Sequence, residues 1–439
     1  MAAATQRPNK ITFSNVQRID DRTYKFTVSP IHVTYANTLR RLILTGIKSV
    51  GFRADMTTEG TTTDVKVIKN DTPMTNEMLA HRIGLLPINI KNPSVWDSDR
   101  YRFELKVTCP PHKMMDVCAG DFKVYEKKIG TDGQEYEEEL STNLFFPPDP
   151  VTGDTCLIAT LRSDDHPQEI HIVAKATTGT GRENARFIPV SQCSYMYTLD
   201  TDEDRRKEMF NNWMQNAKKA SDLEEDSPKY QAYLREFNTM EVSRCYLMDD
   251  TGEPYSFDFT IETVGVLDVP YIVQAACEFG AVMCDRFSNV ATDTKLDTTP
   301  ELSISKTETS VIGWDFLFKG HDHTLGNLLQ TWLEQHHMEN GDATPTIIYT
   351  GYSVPHPLRD EMILRIGVAD KTRDGTAIPI KEGVAREALS AASRGCAELF
   401  RSIRGAWLSS QGIAAPVMQP AVSAPKKKAA PLRRSTPSK

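Results

Sequence analysis

Five histidines and one aspartate in the C-terminal third of the chain could together bind a metal ion. They are His321, Asp322, His323, His336, His337 and His356. A metal-dependent enzyme would need several of these side chains to converge. His321 and His323, two apart near a predicted helix start, do not share a helical face. Asp322 or Thr324 has a simpler role there as an N-cap that also complements the helix dipole. We therefore interpret the group as structural and expect no metal ion and no cofactor.

The eight cysteines are scattered, with no Cys-x-x-Cys and no tight Cys/His cluster, at positions 109, 118, 156, 193, 245, 277, 284 and 396. This pattern predicts neither a disulfide framework nor a structural zinc site. Cys277 and Cys284, seven apart on one helical face, are predicted to be small buried residues. The sequence also lacks a Ser/His/acid arrangement, a phosphate-cradling glycine loop and paired catalytic carboxylates. We expect a noncatalytic protein.

Length and composition indicate a soluble protein of two or three domains. The chain has 439 residues, of which 39% are hydrophobic and 25% charged. No apolar run approaches the roughly 18 to 20 residues of a membrane span, and the N-terminus lacks the apolar core of a signal peptide. We expect an intracellular protein that is not secreted and does not bind membranes.

Charge is distributed unevenly along the chain. The net charge is −8, and residues 415–439 carry six basic residues and no acidic one, which leaves −14 on the remainder. An acidic body is more suited to binding protein than nucleic acid. The basic segment at 411–439 is predicted to be disordered, and fits a nuclear-import signal, a nucleic-acid contact or a solubilising end. A stand-alone nucleic-acid-binding protein that uses this tail is therefore the alternative function.

Two amphipathic helices far apart in the chain follow the same plan. A helix over residues 35–47 has Thr34 as its predicted N-cap, and a second helix spans residues 324–337. Each follows a short strand, has an asparagine near its start and carries a leucine-rich face. The pair therefore suggests two related modules in one polypeptide.

The remaining elements give an α+β architecture with an insertion. Residues 1–50 and 255–288 are predicted to form one module, 51–254 an inserted β-rich domain, 289–304 a linker and 305–410 the second module. Helices at 269–288 and 381–410 carry apolar stripes, and a helix of about 30 residues would span roughly 45 Å. A helix that long needs a helical partner, so we expect these two helices to pack together between the modules.

Several motifs, in a fixed order, resemble the α-like assembly subunits of multisubunit DNA-dependent RNA polymerases. The first module is similar to the larger α-like subunit through Ala36-Asn-Thr-Leu-Arg-Arg-Leu42, Asn76-Glu-Met-Leu-Ala-His-Arg-Ile-Gly-Leu-Leu-Pro87, Ala185-Arg-Phe-Ile-Pro189 and Phe257-Asp-Phe-Thr-Ile-Glu-Thr-Val-Gly265. The second is similar to the smaller α-like subunit through Asp322-His-Thr-Leu-Gly-Asn-Leu328 and Gly351-Tyr-Ser-Val-Pro-His-Pro-Leu358. The resemblance covers most of residues 10–410.

The resemblance implies a noncatalytic scaffold. In that family two α-like chains form a heterodimer that docks the two large catalytic subunits, and here both halves share one chain, as in fusions found in large DNA viruses. The implied partners are the two largest subunits and one or two small polymerase subunits, with DNA reached only through the complex and no homo-oligomer. A viral chain would act in the host nucleus or cytoplasm and occur in the virion. Many larger α-like subunits hold a metal or iron–sulfur cluster on four cysteines, whereas this chain offers only Cys109 and Cys118 with His112 between them.

Sixteen residues are predicted to lie at subunit interfaces. Arg40 and Arg41 stand about 100° apart on their helix, so one can border the apolar seam while the other reaches a partner carboxylate. A solvated polar face is the simpler interpretation of these arginines, and a helix end followed by a turn is that of His81 to Pro87. The full set is Asn37, Leu39, Arg40, Arg41, Leu42, His81, Arg82, Leu85, Phe279, Leu325, Asn327, Leu328, Leu329, Trp332, Leu399 and Ile403.

Overall fold

A computed structural model describes residues 10–56, 63–129, 134–220, 223–224, 226–292, 301–307, 313–338, 341–369 and 381–412. The predicted disordered tail at 411–439 lies outside these ranges apart from its first two residues, and so does half of the predicted linker. Within the described ranges, no helix is both long and apolar enough to cross a bilayer.

Seven α-helices and seventeen strands occur in the described parts of the chain. The helices are α1 (Val33–Thr45), α2 (Asn76–Gly84), α3 (Glu203–Ala217), α4 (Pro228–Glu236), α5 (Val269–Asp285), α6 (His323–His337) and α7 (Lys381–Ser410). The strands are β1 (Thr12–Arg18), β2 (Thr23–Ser29), β3 (Lys48–Gly51), β4 (Val65–Asn70), β5 (Tyr101–Cys109), β6 (Met114–Cys118), β7 (Phe122–Ile129), β8 (Glu135–Leu140), β9 (Leu157–Arg162), β10 (Gln168–Ala174), β11 (Thr177–Thr180), β12 (Val190–Tyr197), β13 (Phe257–Thr263), β14 (Leu302–Lys306), β15 (Gly313–Lys319), β16 (Tyr349–Ser353) and β17 (Glu361–Gly367). The chain is a mixed α and β protein, as predicted.

Two four-stranded antiparallel sheets have the same strand order. The first is β1-β2-β13-β12 and the second is β14-β15-β17-β16. In each sheet a hairpin leads into a helix, α1 or α6, and the last strand leads into another, α5 or α7. Strict alternation of buried and half-buried residues in β13 shows that only one face of the first sheet is covered. One continuous apolar core joins both sheets to these four helices.

A second core lies in the segment between β3 and β11. Its five-stranded sheet has the order β4-β10-β5-β7-β8, and β6 pairs with β9 beside it. Phe52, Phe103 and Phe122 are fully buried there, with ring centroids 5.1 to 6.4 Å apart. Helices α3 and α4 form a third, small core around Phe210, Met214 and Phe237.

Three local predictions differ from the structure. Residues 51–254 are predicted to form the inserted domain, but strand β12 within them pairs with β13 in the first sheet. This partner lies about sixty residues further along the chain, so no local pattern indicates the pairing. Strand β14 begins at Leu302, inside the predicted linker. Helix α1 begins at Val33, and its N-cap is His32, whose Nδ1 accepts the Thr34 backbone N–H at 3.2 Å. The Thr34 hydroxyl is instead used in a contact with α6.

Candidate protein–protein interface

Helices α1 and α6 meet through a reciprocal set of polar contacts. The second residue of α6, Thr324, accepts a hydrogen bond from Nε of Arg41, the ninth residue of α1, at 2.8 Å. Conversely, the second residue of α1, Thr34, accepts from the hydroxyl of Thr331, the ninth residue of α6, at 3.1 Å. Such reciprocity is what a two-fold axis between two equivalent modules generates.

Aromatic and amide side chains also join this helix pair where the start of α1 meets the end of α6. The Tyr35 hydroxyl donates to Oε1 of Gln335 at 2.7 Å, and burial raises the pKa of Tyr35 well above its usual range, so the hydroxyl stays a donor. The Trp332 and His336 rings are in tilted contact, with centroids 4.3 Å apart. It also lies against Gly395 of α7, where an added Cβ would come within 2.2 Å of the indole ring. Close packing therefore joins α6 to both α1 and α7.

Helices α5 and α7 form the second helix pair of this core. Gly280 permits their close approach, because a Cβ there would lie 2.8 Å from Leu42 and 3.0 Å from Phe400. Nη2 of Arg404 on α7 contacts Glu278 on α5 at 2.7 Å, and Arg401 pairs with Asp285. The elements on either side of the linker thus share one packed boundary, defined here as the seam: α1 with α6, and α5 with α7.

Many predicted interface residues are buried inside the chain itself. Each is at most 2% exposed and belongs to the core that spans the seam: Leu39, Leu42, Leu325, Leu328, Leu329 and Ile403. Asn327, Trp332 and Leu399 are half-buried at its edge, where Nδ2 of Asn327 lies 3.5 Å from the Thr34 hydroxyl. The six buried residues of this set pack across the seam inside the chain.

The two arginines of α1 have different roles. Arg41 borders the seam, where it contacts Thr324 and, at 3.5 Å, the Asp322 carboxylate. Arg40 is half-buried and is held by Asn37, whose Oδ1 accepts from its Nε and Nη2 at 3.0 and 2.9 Å. Because this bond is intrahelical, the half-buried Arg40 guanidinium is oriented without using a charged partner. Asn37 and Arg40 are therefore a half-buried, hydrogen-bonded pair on α1.

Other predicted residues lie on the surface. His81, Arg82 and Leu85 are exposed at the end of α2, where Nη2 of Arg82 donates to the Leu157 carbonyl at 3.2 Å. Phe279, a predicted interface residue on the helix at 269–288, is 41% exposed. The buried face of α5 instead includes Ala276 and Gly280.

Sequence analysis missed the glycines that bring the seam helices together. Gly280 and Gly395 lack the side chains that would collide with facing aromatic rings. The available signal was the recurrence of small residues at four-residue spacing, such as Ala388, Ala392 and Cys396 of α7, all buried. Burial raises the pKa of Cys277 to about 12, which keeps this thiol protonated in the core.

The histidines of the C-terminal third have separate local partners. His336 contacts Asp342 at 2.9 Å, and Nδ1 of His337 lies 2.8 Å from the Pro345 carbonyl. His323 lies against Tyr352 and is exposed, whereas His321 is buried against Phe287. Among the residues that the structure describes, no group of three or more histidine, cysteine or acidic side chains is placed to hold a metal ion.

Comparisons with known proteins identify the kind of subunit. Residues 314–404, from β15 into α7, match the family described as the RNA polymerase Rpb3/Rpb11 dimerisation domain. The chain is 25% identical over 283 residues to the DNA-directed RNA polymerase subunit Rpo3 of Methanosphaera stadtmanae, covering 62% of this chain and 96% of that protein. It is 23% identical over 301 residues to the DNA-directed RNA polymerases I and III subunit RPAC1 of Homo sapiens, covering 62% and 82%.

A third relative, the DNA-directed RNA polymerase II subunit RPB3 of Schizosaccharomyces pombe, is 25% identical over 248 residues, which cover 54% of this chain and 77% of that protein. None of these matches supports a stand-alone nucleic-acid-binding protein. Residues 314–404 therefore form an Rpb3/Rpb11-type dimerisation domain, and the chain is an α-like, noncatalytic assembly subunit of a DNA-directed RNA polymerase.

Proposed function

We propose that this chain is an internally tethered α-like heterodimer that docks the two large catalytic subunits of its polymerase. The observation that carries the proposal is the repeated strand order of the two sheets, together with the reciprocal contacts of α1 and α6. In this proposal β1, β2, α1, β12, β13 and α5 form the larger α-like half, and β14 to α7 form the smaller half. Residues 52–176 and α3 with α4 are insertions into the larger half.

Covalent linkage gives a physical advantage to such a fusion. The two halves meet at an effective concentration on the order of millimolar when one short chain segment joins them. Burial of each large apolar side chain at the seam contributes about 1.5 to 3 kcal/mol. Pairing then needs no encounter between separate chains, and the joined halves offer one continuous surface to the large subunits. A viral origin and a nuclear or cytoplasmic site of action stay predictions.

The half-buried Asn37 and Arg40 pair and the exposed end of α2 are the proposed contacts with the large subunits. Both surfaces carry preoriented guanidinium groups, which suit bidentate recognition of carboxylates. Leu39 and Leu325 are unsuitable for testing this contact, because their replacement would damage the core.

Affinity purification of the tagged full-length chain, coexpressed with the two large subunits, tests the proposal. The unmodified chain should retain both subunits, and Arg40→Glu together with Arg82→Glu should lower that retention at least about tenfold. The matched control is Arg244→Glu in the helical insertion, where the side chain is 73% exposed, and it should behave as the unmodified chain. Absence of both large subunits from the purified unmodified chain would contradict the proposed function.

A further inference from the structure

The two seam helices α1 and α6 are capped at equivalent positions by different kinds of side chain. Helix α1 begins after His32, whose Nδ1 accepts the backbone N–H of Thr34 at 3.2 Å. Helix α6 begins after Asp322, whose Oδ1 accepts the backbone N–H of Thr324 at 2.8 Å. A carboxylate accepts this hydrogen bond throughout the range near neutral pH, whereas an imidazole accepts it only while Nδ1 is unprotonated. The two caps therefore differ in how they respond to acid.

The first turn of α1 carries contacts that cross the seam to α6. The Thr34 hydroxyl accepts from the hydroxyl of Thr331 at 3.1 Å, and the Tyr35 hydroxyl donates to Oε1 of Gln335 at 2.7 Å. The His32 carbonyl accepts the backbone N–H of Tyr35 at 3.0 Å, so His32 fixes this turn with both its side chain and its main chain. Loss of the side-chain cap therefore loosens the part of α1 that holds α6.

His32 is half-buried in a groove that also contains carboxylates. The groove has a volume of about 330 Å³, and Asp249 and Glu253 line it together with His32. Burial lowers the pKa of His32 below its ordinary value, and the negative charges of Glu253, Asp249 and Glu334 oppose that shift. The imidazole is therefore uncharged near neutral pH, and because Nδ1 accepts the capping hydrogen bond, its proton lies on Nε2.

Protonation of His32 removes the cap and creates a charge that needs a new partner. An imidazolium has no lone pair for the Thr34 N–H, and its positive charge is unfavourable beside the N-terminal end of a helix dipole. Within the groove, Oδ1 of Asp249 already accepts the backbone N–H groups of Thr251 and Glu253 at 2.8 and 3.0 Å. The Glu253 side chain is exposed at the edge of the same groove. Glu253 is therefore the more available carboxylate for a ring that turns away from the helix.

We propose that His32 is a pH-sensitive switch at the start of α1. In the neutral state Nδ1 caps α1, and the first turn of this helix holds α6. In the protonated state the imidazolium turns to Glu253, and the first turn of α1 releases its contacts with α6. The start of α6 lacks this switch. Although burial acts in the opposite direction, hydrogen bonds from Thr324 hold the pKa of Asp322 below its ordinary value, so that this cap stays ionised above about pH 5.

Hydrogen–deuterium exchange of the full-length chain tests this inference without any other polymerase subunit. Protection of peptides from α1 is compared at about pH 7.5 and about pH 5.5, after correction for the intrinsic exchange rate at each pH. A histidine with an ordinary pKa of about 6.5 favours the released state by up to about tenfold at pH 5.5, so protection at the start of α1 should fall about three- to tenfold. His32→Asn keeps a side-chain cap that does not titrate, and its protection should change less than about twofold.

Two further variants separate the switch from a general loss of stability in acid. His112→Asn is the matched control, because His112 is exposed and its φ of 60° is one that asparagine tolerates, and it should show the same fall as the unmodified chain. Glu253→Gln should reduce the fall about twofold, because Glu253 stabilises the released imidazolium by direct contact and the capped state only at longer range. Unchanged protection of the unmodified chain between the two pH values, an equal fall in His32→Asn, or an undiminished fall in Glu253→Gln would overturn the inference.

Discussion

Replacement of Trp407 by alanine measures how strongly α7 is held against the first half of the chain. The Trp407 ring is fully buried, with centroids 5.1 Å from those of Phe13 and Phe26, and its Nε1 donates to the Pro270 carbonyl at 3.1 Å. Removal of a buried tryptophan side chain costs about 3 to 5 kcal/mol, and the unsatisfied carbonyl adds about 1 kcal/mol. We therefore expect Trp407→Ala to lower the free energy of unfolding by about 4 to 6 kcal/mol.

Urea denaturation, followed by circular dichroism at a helical wavelength, measures this change. Trp407→Phe is the matched control, because it keeps most of the ring volume and loses the hydrogen bond to Pro270, at a cost of about 1 to 2 kcal/mol. A loss below about 1 kcal/mol for Trp407→Ala would refute the view that α7 is anchored in the core of the first sheet.

Two further predictions concern the seam and its buried histidines. Gly395→Ala should lower the free energy of unfolding by about 1 to 3 kcal/mol, because the added Cβ would lie 2.2 Å from Trp332. Gly405→Ala, on the same helix but with open space around it, should raise the free energy of unfolding by about 0.5 to 1 kcal/mol. Urea denaturation of both variants measures the two changes. Burial lowers the pKa of His321 and of His337, so the unfolded chain takes up protons first and stability should fall as the pH drops below about 6.5. His337→Gln should reduce this fall in denaturation series between about pH 7 and 5, and an unchanged pH dependence would contradict the assignment.

The helices of the seam could be predicted closely from sequence. Helix α7 has the predicted bounds, Lys381–Ser410, and α6 begins at His323, one residue before the predicted start. Both have one face in the core and one toward solvent, so their hydrophobic periodicity is strong. Helix α1 is shifted by two residues, because His32 rather than Thr34 caps it.

Strand pairing was harder to predict because it is set by contacts distant in sequence. Strand β12 is separated from its partner β13 by the segment that contains α3 and α4, and nothing local marks it as part of the first sheet. Strand β14 is short, lies at a sheet edge and is largely polar, which is typical of edge strands but resembles a linker in sequence.

The exposure of Phe279 could not be read from periodicity either. Helix α5 is apolar around most of its circumference, so its hydrophobic pattern does not distinguish the face toward α7 from the face toward solvent. Gly280 decides the orientation, because only a glycine fits between Leu42 and Phe400. For α1, sequence could assign one of Arg40 and Arg41 to the seam, but the position of Thr324 was needed to choose Arg41.

Cleavage of the chain between its two halves tests the tethered heterodimer most directly. A protease site introduced within residues 293–300 allows the folded full-length protein to be cut and then analysed by size-exclusion chromatography with light scattering at micromolar concentration. The account predicts that both fragments elute together with the mass of the intact chain, which requires a dissociation constant below about 1 μM, equivalent to about −8.2 kcal/mol. Separate elution of two soluble fragments, each with its own helices folded, would contradict it.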